Sequence, residues 1–250
     1  MSFALFLLVM TILTGVLYVL EVFYYAKKRP AGQKRGRILE FGHGFFPIFL
    51  IVLILRSFLG EPFRIPSGSL EPTLQVGDFV VVNKFSYGLR LPVSETKILP
   101  ISEPKTGQIA VFRWPPDPTY DFIKRVIGVP GDKVEYRDKV LYINGKEIKQ
   151  TFIEYTTDES SGRTVAKYEE DLAGTKHAIY LNPEAYSADF SLVVPPKQYF
   201  MMGDNRDDSA DSRFWGFVPE SYLRGKAVMV WLSWNGQTGS VRWSRIGTIL

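Results

Sequence analysis

The 250-residue chain contains no cysteine and only two histidines. The absence of cysteine excludes disulfide bonds, thiolate nucleophiles and cysteine-ligated zinc sites. A Ser-His-Asp triad is poorly supplied, because His43 lies at the edge of an apolar segment and His177 lies in a polar region. Lysine is the other option as a base for a serine nucleophile, provided that it can be neutral.

Acidic and basic residues are nearly balanced outside one short loop. Residues 27–38 hold six of the 30 basic residues and no acid, which leaves 24 basic residues against 26 acids elsewhere. The net charge of +4 is thus an effect of this loop. Because the rest of the chain lacks the basic surface that nucleic acids require, we expect no nucleic-acid partner.

Two apolar segments near the N-terminus are long enough to cross a membrane. Residues 1–20 carry no charge, residues 45–55 contain no polar side chain, and about 20 apolar residues span a bilayer core. The sequence predicts transmembrane helices over 1–26 and 39–59. The basic loop 27–38 should stay in the cytoplasm, which places the domain over residues 60–250 outside. A basic start and a small-residue cleavage site are missing, so we predict a retained anchor.

A stiff turn follows the second apolar segment. Two serines, Ser67 and Ser69, flank Gly68, and a proline stands on either side at Pro66 and Pro72. Prolines fix φ and remove backbone donors, so this stretch is neither a long helix nor a central strand. A hydroxyl on a rigid turn suits a nucleophile, since little entropy is left to lose when the substrate arrives. The same composition is also typical of a plain connecting loop.

Short apolar runs separated by glycine and proline turns predict an all-β exported domain. The clearest runs cover residues 78–84, 107–113, 121–128 and 227–234, and a hairpin turns at Asn144-Gly145. Residues from about 150 to 195 are polar with little sustained pattern. They predict an inserted, partly ordered lobe that is rich in β-strands.

Lys124 is the best-placed alternative base. An ordinary lysine has a pKa of about 10.4, but burial in an apolar site lowers this by roughly 3–5 units. Strand alternation puts Lys124 on the face of Phe122 and Val126, with Arg125 opposite. The competing interpretation is an exposed or ion-paired strand lysine, which is the commoner case.

An acidic loop over residues 203–213 contains four acids and two arginines. Calcium binding is one interpretation, but the glycine and glutamate positions of an EF-hand are missing. The two arginines supply counter-charges without a metal. We therefore predict a hydrogen-bonded structural loop that orients the lysine.

Three motifs in this order resemble those of bacterial type I signal peptidases, a family of membrane-bound Ser/Lys-dyad endopeptidases. They are PSGSLEPTL at 66–74, IKRVIGVPGD at 123–132 and GDNRDDSADSR at 203–213. The resemblance implies two N-terminal transmembrane α-helices followed by an all-β catalytic domain with the family's β fold. Two departures are Leu70, in place of the usual methionine, and Asp208, in place of a common asparagine. The second adds negative charge near Ser209.

The resemblance also implies residue roles. Ser69 matches the nucleophile, Lys124 the general base, Ser67 an oxyanion-hole hydroxyl and Ser209 the residue that hydrogen-bonds and orients the lysine. The positions that match substrate-binding residues are Phe63, Ile65, Pro66, Leu74, Asp121, Phe122 and Ile123. Those that match supporting residues are Gly68, Gly203, Asp204, Asp211 and Arg213, the last two as an ion pair.

By the same resemblance, the substrates are exported preproteins, cut after a small-x-small site that ends the signal peptide. The reaction requires no cofactor and no metal. The protein is expected in the bacterial inner membrane, with its catalytic domain on the periplasmic side and Trp231, Trp234 and Trp243 as candidates for contact with membrane lipid. Two alternatives stay open from the residues alone: a non-enzymatic, anchored β-domain that binds extended peptides, and a self-cleaving protein with the same dyad.

Overall fold

The computed structural model describes residues 3–30, 32–54, 61–90 and 96–250. The chain forms two compact units. One comprises residues 1–60 and 88–100, and the other comprises residues 61–87 and 101–250.

The first unit contains the two apolar helices. Helix α1 (Phe3–Leu20) continues through a π-helical turn (Glu21–Tyr25) into α2 (Ala26–Lys28), and α3 spans Arg37–Ile54. Both helical stretches are long and apolar enough to cross a membrane. The first therefore extends into the predicted basic loop. The end of the second predicted span, residues 55–59, lies outside the described residues.

Glu21 forms ion pairs with the basic loop. It is buried and pairs with Arg29 at 2.7 Å and with Arg35 at 3.2 Å, so one carboxylate is shared between two of the loop's cations. Pro47 lies inside α3 without ending it. A short hairpin of β3 (Leu89–Arg90) and β4 (Lys97–Leu99) completes the unit.

The second unit is built on an antiparallel sheet whose order is β1-β2-β16-β5-β6-β14-β15, with β17 paired to β16. Its strands are β1 (Glu61–Arg64), β2 (Asp78–Asn83), β5 (Ile109–Arg113), β6 (Asp121–Gly128), β14 (Gln198–Met202), β15 (Val218–Pro219), β16 (Leu223–Asn235) and β17 (Ser240–Val241). Strand β6 is buried from Ile123 onward, including Lys124 and Arg125, which lie between the apolar pairs Phe122-Ile123 and Val126-Ile127. The predicted strands at 78–84, 107–113, 121–128 and 227–234 are confirmed, the last as part of the longer β16.

Two smaller sheets are formed by the residues between β6 and β14. One has the order β13-β7-β8-β9, and the other is the meander β10-β11-β12. Their strands are β7 (Lys133–Arg137), β8 (Val140–Ile143), β9 (Lys146–Glu147), β10 (Gln150–Thr157), β11 (Thr164–Leu172), β12 (Thr175–Leu181) and β13 (Phe190–Val193). Asn144 and Gly145 both have positive φ, 53° and 79°, which is what the predicted two-residue hairpin turn requires.

Three apolar clusters form the core of the second unit. The cluster that bears on the site contains buried side chains from the serine turn and from strands β2, β5, β6 and β16, among them Ile65, Leu70, Leu74 and Ile123. Burial of such side chains contributes roughly 1.5–3 kcal/mol each. The turn is therefore anchored by its own apolar residues, which is why its serines occupy fixed positions.

Candidate active site

The turn that carries Ser69 is buried and internally hydrogen-bonded. Ser67 is extended, with φ −138° and ψ 157°, and one turn of 3-10 helix follows from Gly68 to Leu70. The N–H of Glu71 donates to the Gly68 carbonyl at 2.9 Å. Ser69 itself is only 8% exposed, so its hydroxyl is held in a single place at the edge of solvent.

Lys124 reaches Ser69 from the middle of β6. Its Nζ donates a hydrogen bond to Ser69 Oγ, and the residue is 4% exposed. Burial lowers the pKa of Lys124 to about 8, against weaker opposing effects of Asp211 and Asp204, which favour the charged form. About one-tenth of such an amine is neutral at pH 7. Among residues 61–90 and 96–250, no carboxylate forms an ion pair with Nζ.

The remaining predicted hydroxyls are those of Ser67 and Ser209. Ser67 Oγ is 3.5 Å from Ser69 Oγ. Gly203 packs behind the turn, where any side chain would collide with the Ser69 carbonyl oxygen and with Ser209. Ser209 is buried, but its Oγ has no hydrogen-bond partner in the described part of the chain. The hydrogen bond from Ser209 to the lysine is therefore not formed in this structure, because the serine lies against Gly203.

Asp204 faces away from Lys124. It forms an ion pair with Arg125, the residue that follows Lys124 on β6. The guanidinium contacts the carboxylate through two nitrogens, at 2.7 and 2.6 Å, and Thr73 donates to the same carboxylate at 2.5 Å. Although burial alone raises the pKa of Asp204, Arg125 holds it below its usual range. Arg125 also donates to the Gly107 carbonyl at 2.6 Å. This pair links β6 to the acidic loop.

Asp211 and Arg213 form the predicted ion pair. Arg213 contacts the carboxylate through two nitrogens, both at 2.8 Å, and the N–H of Gly203 donates to Asp211 at 3.0 Å. Arg213 also donates to the Arg206 carbonyl. The pair fixes the glycine that packs against Ser69, and it places a negative charge near Lys124.

A second buried ion pair links the acidic loop to the polar region. Arg206 pairs with Glu170 on β11 through Nη1, at 2.9 Å, and through Nη2, and neither side chain is exposed. Although burial alone raises the pKa of Glu170, the Arg206 charge holds it well below its usual range. His177 Nε2 lies 3.3 Å from Glu170 and 3.9 Å from Asp204. The histidine thus belongs to this network, and no contact joins it to Ser69 among the described residues.

The residues that match substrate-binding positions fall into two groups. Ile65, Leu74 and Ile123 belong to one buried cluster, with Phe63 packed against it. Ile65 and Leu74 are 1% and 0% exposed, so they lie beneath the surface of the site rather than on it. The others lie near solvent. Phe122 stacks on Trp114 with 5.0 Å between ring centroids, Asp121 pairs with Arg224 at 3.1 Å, and Pro66 is exposed.

Several site residues carry no usable signal in the sequence. Glu170 lies 36 positions from Arg206 in a polar stretch, and nothing in its surroundings predicts a partner. Glu71 and Asp158 are buried side by side next to the serine turn, yet each reads as a surface acid. Only the alternating pattern of β6 gave a partial signal, because it separates Arg125 from Lys124.

Comparisons with known proteins identify the family of this chain. The family model described as "Signal peptidase, peptidase S26" matches residues 38–234. The chain belongs to this signal peptidase family. A signal peptidase I of Pseudomonas aeruginosa is 40% identical over 100% of this chain and 99% of its own, and one of Haemophilus influenzae is 33% identical over 93% and 86%. A solved signal peptidase I of Enterococcus faecalis is 33% identical over 50% of this chain and 97% of its own, with a TM-score of 0.35.

Membership of the signal peptidase family decides between the functions that the residues left open. The chain is a serine-type peptidase that removes signal peptides, so its substrates are preproteins. The predicted alternative of a non-enzymatic peptide-binding domain is wrong. The homologues, together with the two apolar helices, indicate a membrane-anchored protein.

Proposed function

We propose that Ser69 is the nucleophile and Lys124 the general base of this peptidase. One observation carries the proposal: a buried lysine without an ion-paired carboxylate donates a hydrogen bond to a serine hydroxyl on a rigid turn. An ammonium that is deprived of water and of a counter-ion releases its proton more readily. The neutral amine then accepts the proton of the hydroxyl beside it.

The proposed reaction proceeds in two halves. Ser69 Oγ attacks the scissile carbonyl as its proton passes to Lys124 Nζ, the carbon–nitrogen bond breaks, and the lysine gives the proton to the leaving amine of the mature protein. The signal peptide is now an ester on Ser69. Lys124 next takes a proton from water, the hydroxide attacks the ester, and the serine regains its hydrogen as the signal peptide leaves. No metal or cofactor enters these steps.

The developing oxyanion needs donors. We propose that the Ser69 N–H and the Ser67 hydroxyl supply them, because Ser67 Oγ lies beside the nucleophile at 3.5 Å. A donor of this kind contributes roughly 3–4 kcal/mol to transition-state stabilisation. Ser209 is proposed to orient the lysine when substrate is bound. Its unpartnered, buried hydroxyl is available for that role.

The preprotein is proposed to bind as an added strand. β1 is the terminal strand of the large sheet, so its outer edge offers main-chain groups to an extended peptide. Ile65, Leu74 and Ile123 are buried in one cluster and are proposed to form the apolar floor beneath the small side chains of a small-x-small cleavage sequence. Phe63, Pro66, Asp121 and Phe122 are proposed to border the bound strand.

The location proposed for the enzyme is the bacterial inner membrane with the catalytic domain on the periplasmic side. The support is the six-cation segment over residues 27–38, because such short loops stay in the cytoplasm. Trp243 is 77% exposed, and Trp231 and Trp234 are each 42% exposed. Exposed tryptophans suit the lipid interface, so this surface is proposed to touch membrane lipid.

The dyad is tested with the full chain in detergent and a purified preprotein. Ser69→Ala should lower the cleavage rate by about 10⁶-fold, as removal of a serine nucleophile does elsewhere, and Ser67→Ala by about 10²–10³-fold. Ser191→Ala, at an exposed serine of β13, is the matched control and should cleave normally. Substantial activity in Ser69→Ala would remove the proposal. A change in the mass of the enzyme itself during incubation would reveal self-cleavage.

A further inference from the structure

Glu71 is a buried acid two residues after the proposed nucleophile. It is 2% exposed, and its carboxyl hydrogen-bonds to the carboxyl of Asp158, which is 1% exposed. Two carboxyl groups in contact cannot both carry a charge without strong repulsion, so a proton is shared between them. Neither group takes part in the two half-reactions proposed above.

The loop around Asp158 is attached to the serine turn. Asp158 accepts from Asn205 Nδ2 at 3.0 Å. The same Nδ2 donates to the Gly68 carbonyl at 3.3 Å, and the Asn205 N–H donates to the Ser69 carbonyl at 3.1 Å. One asparagine therefore connects Asp158 to the backbone of the nucleophile.

Ser160 closes the attachment from the other side. Its N–H and its hydroxyl both donate to Asp158, at 2.9 and 2.8 Å. Its side chain packs so closely on Gly68 that any side chain at the glycine would collide with it, and Glu71 lies next to the same spot. The turn is thus held between its own Glu71 and the loop that begins at Asp158.

The charges around Glu71 determine which form it adopts. Burial, followed by the hydrogen bond to Asp158, raises the pKa of Glu71 to about 8. For Asp158, burial acts in the same direction, but the hydrogen bonds from Glu71, Ser161 and Asn205 hold its pKa well below the usual range. The proton of the pair therefore resides on Glu71. The other titratable or charged groups that face Glu71 or line the same cavity are Glu159, Tyr180, Asp208 and Arg242.

Among these neighbours only Arg242 is a cation, and it pairs with Glu159 at 3.5 Å. Neither Glu71 nor Asp158 takes part in an ion pair within residues 61–90 and 96–250. Loss of the shared proton would leave two adjacent buried carboxylates with no counter-charge of their own. Repulsion between them would push the loop and the turn apart.

We propose that Glu71 is a positioning residue: its protonated carboxyl holds the Ser67–Ser69 turn against the Asp158 loop, and loss of that proton in alkaline solution releases the turn and lowers the cleavage rate. The inference rests on the proposed role of Ser69. It adds a second titrating group to a reaction whose base, Lys124, has to lose a proton. The neutral lysine favours high pH and the neutral glutamic acid favours low pH, so the rate should have a narrow optimum.

The experiment compares the pH dependence of kcat/KM for the full chain and its variants on one preprotein in detergent. For the parent enzyme we expect a bell with both limbs near pH 8. Glu71→Gln keeps a neutral donor for Asp158, so its activity at the optimum should stay within about threefold while its alkaline limb disappears. Glu71→Ala removes the donor and should lower kcat at least tenfold at every pH. Glu169→Gln, at an exposed acid paired with Lys176, is the control and should reproduce the parent profile.

A second measurement does not depend on activity. The raised pKa means that the folded chain binds a proton that the unfolded chain has lost, so the parent should lose stability as pH rises from about 4.5 to about 8. The melting temperature of Glu71→Gln should fall less over this window. An unchanged alkaline limb in Glu71→Gln, or parent-like kcat in Glu71→Ala, would overturn the proposal. Activity in Ser69→Ala would instead overturn the proposed dyad, so the two failures are distinguishable.

Discussion

Lys124 and Arg125 are adjacent residues of strand β6, and both are buried. They face opposite sides of the strand, so each has different polar partners. Arg125 meets a carboxylate through two nitrogens and also donates to a backbone carbonyl. Lys124 donates to the hydroxyl of Ser69 and lies 5.8 Å from the centroid of the Phe122 ring, and it forms no ion pair with a carboxylate in the described part of the chain. A buried cation that contacts a carboxylate and a backbone carbonyl stays charged and links the parts of the structure that carry them. A buried cation without a carboxylate tends to lose its proton, which is the property a general base requires.

The comparison also explains why the acidic loop is placed as it is. Asp204 and Asp211 both raise the pKa of Lys124, and Arg213 lowers it. Each acid is already paired with an arginine, at 2.6 Å for Asp204 and 2.8 Å for Asp211. Because these arginines offset the charge of the acids, burial remains the dominant effect on the lysine. The ion pairs can therefore stabilise the site without raising the pKa of Lys124 back to its usual value.

The largest expected effect tests the lysine side of the comparison. Lys124→Met removes the base and should lower kcat/KM by roughly 10⁴-fold or more. Lys124→Arg should be nearly as inactive, because a guanidinium keeps its charge and cannot accept a proton. Cleavage of a preprotein by purified protein measures both variants. If Lys124→Arg kept more than a tenth of the parent rate, the lysine would be serving as a charge and not as a base.

The contribution of Arg125 should be seen in the free energy of unfolding. Arg125→Met leaves the Asp204 carboxylate buried without its partner, so the free energy of unfolding should fall by about 3–5 kcal/mol. The double variant Arg125→Met/Asp204→Leu removes both charges and should recover part of that loss. Lys124→Met is the matched control, and its stability should equal or exceed that of the parent. Denaturant unfolding monitored by tryptophan fluorescence provides the measurement; equal losses in both methionine variants would contradict the comparison.

The pH dependence sharpens the comparison further. If Lys124 is the base, as proposed, only its neutral form is active, so kcat/KM should rise with pH up to about 8. Asp211→Asn removes a charge that favours the protonated lysine, so the acid limb should move to lower pH, whereas Arg213→Gln should move it to higher pH. The free energy of unfolding should also rise with pH because of Lys124. The folded chain has lost the Lys124 proton between about pH 8 and 10.5 while the unfolded chain keeps it, so the parent should gain stability relative to Lys124→Met across that window.

The smallest expected effect concerns Ser209. Its hydroxyl has no partner in the described structure, so Ser209→Ala should leave the melting temperature unchanged. If the hydroxyl orients Lys124 in the substrate complex, kcat/KM should fall by about three- to tenfold, the contribution of one neutral hydrogen bond. A parent-like rate would show that the serine only fills space next to Gly203.

Much of the fold follows from the sequence because its signals are local. The apolar runs predicted the helices and the main strands, and Asn144-Gly145 predicted its hairpin, since each depends on side chains close together along the chain. The three motifs led to the proposal of Ser69 and Lys124 as site residues in the same way. The network behind them could not be predicted. The partners in each pair, Glu170 with Arg206 and Glu71 with Asp158, are far apart in sequence. The residues around an acid in the sequence do not indicate which distant residue it will contact in the fold.

The sequence by itself determined the chemical groups and the local stiffness: a serine between prolines, a lysine within an apolar strand, and no cysteine or spare histidine to compete with them. Only the tertiary structure decided which ionisable side chains keep their protons. Desolvation depends on every atom packed around a group, and a counter-ion matters only within a few ångströms. Neighbours in space therefore make Lys124 a candidate base, whereas they hold Arg125 in an ion pair.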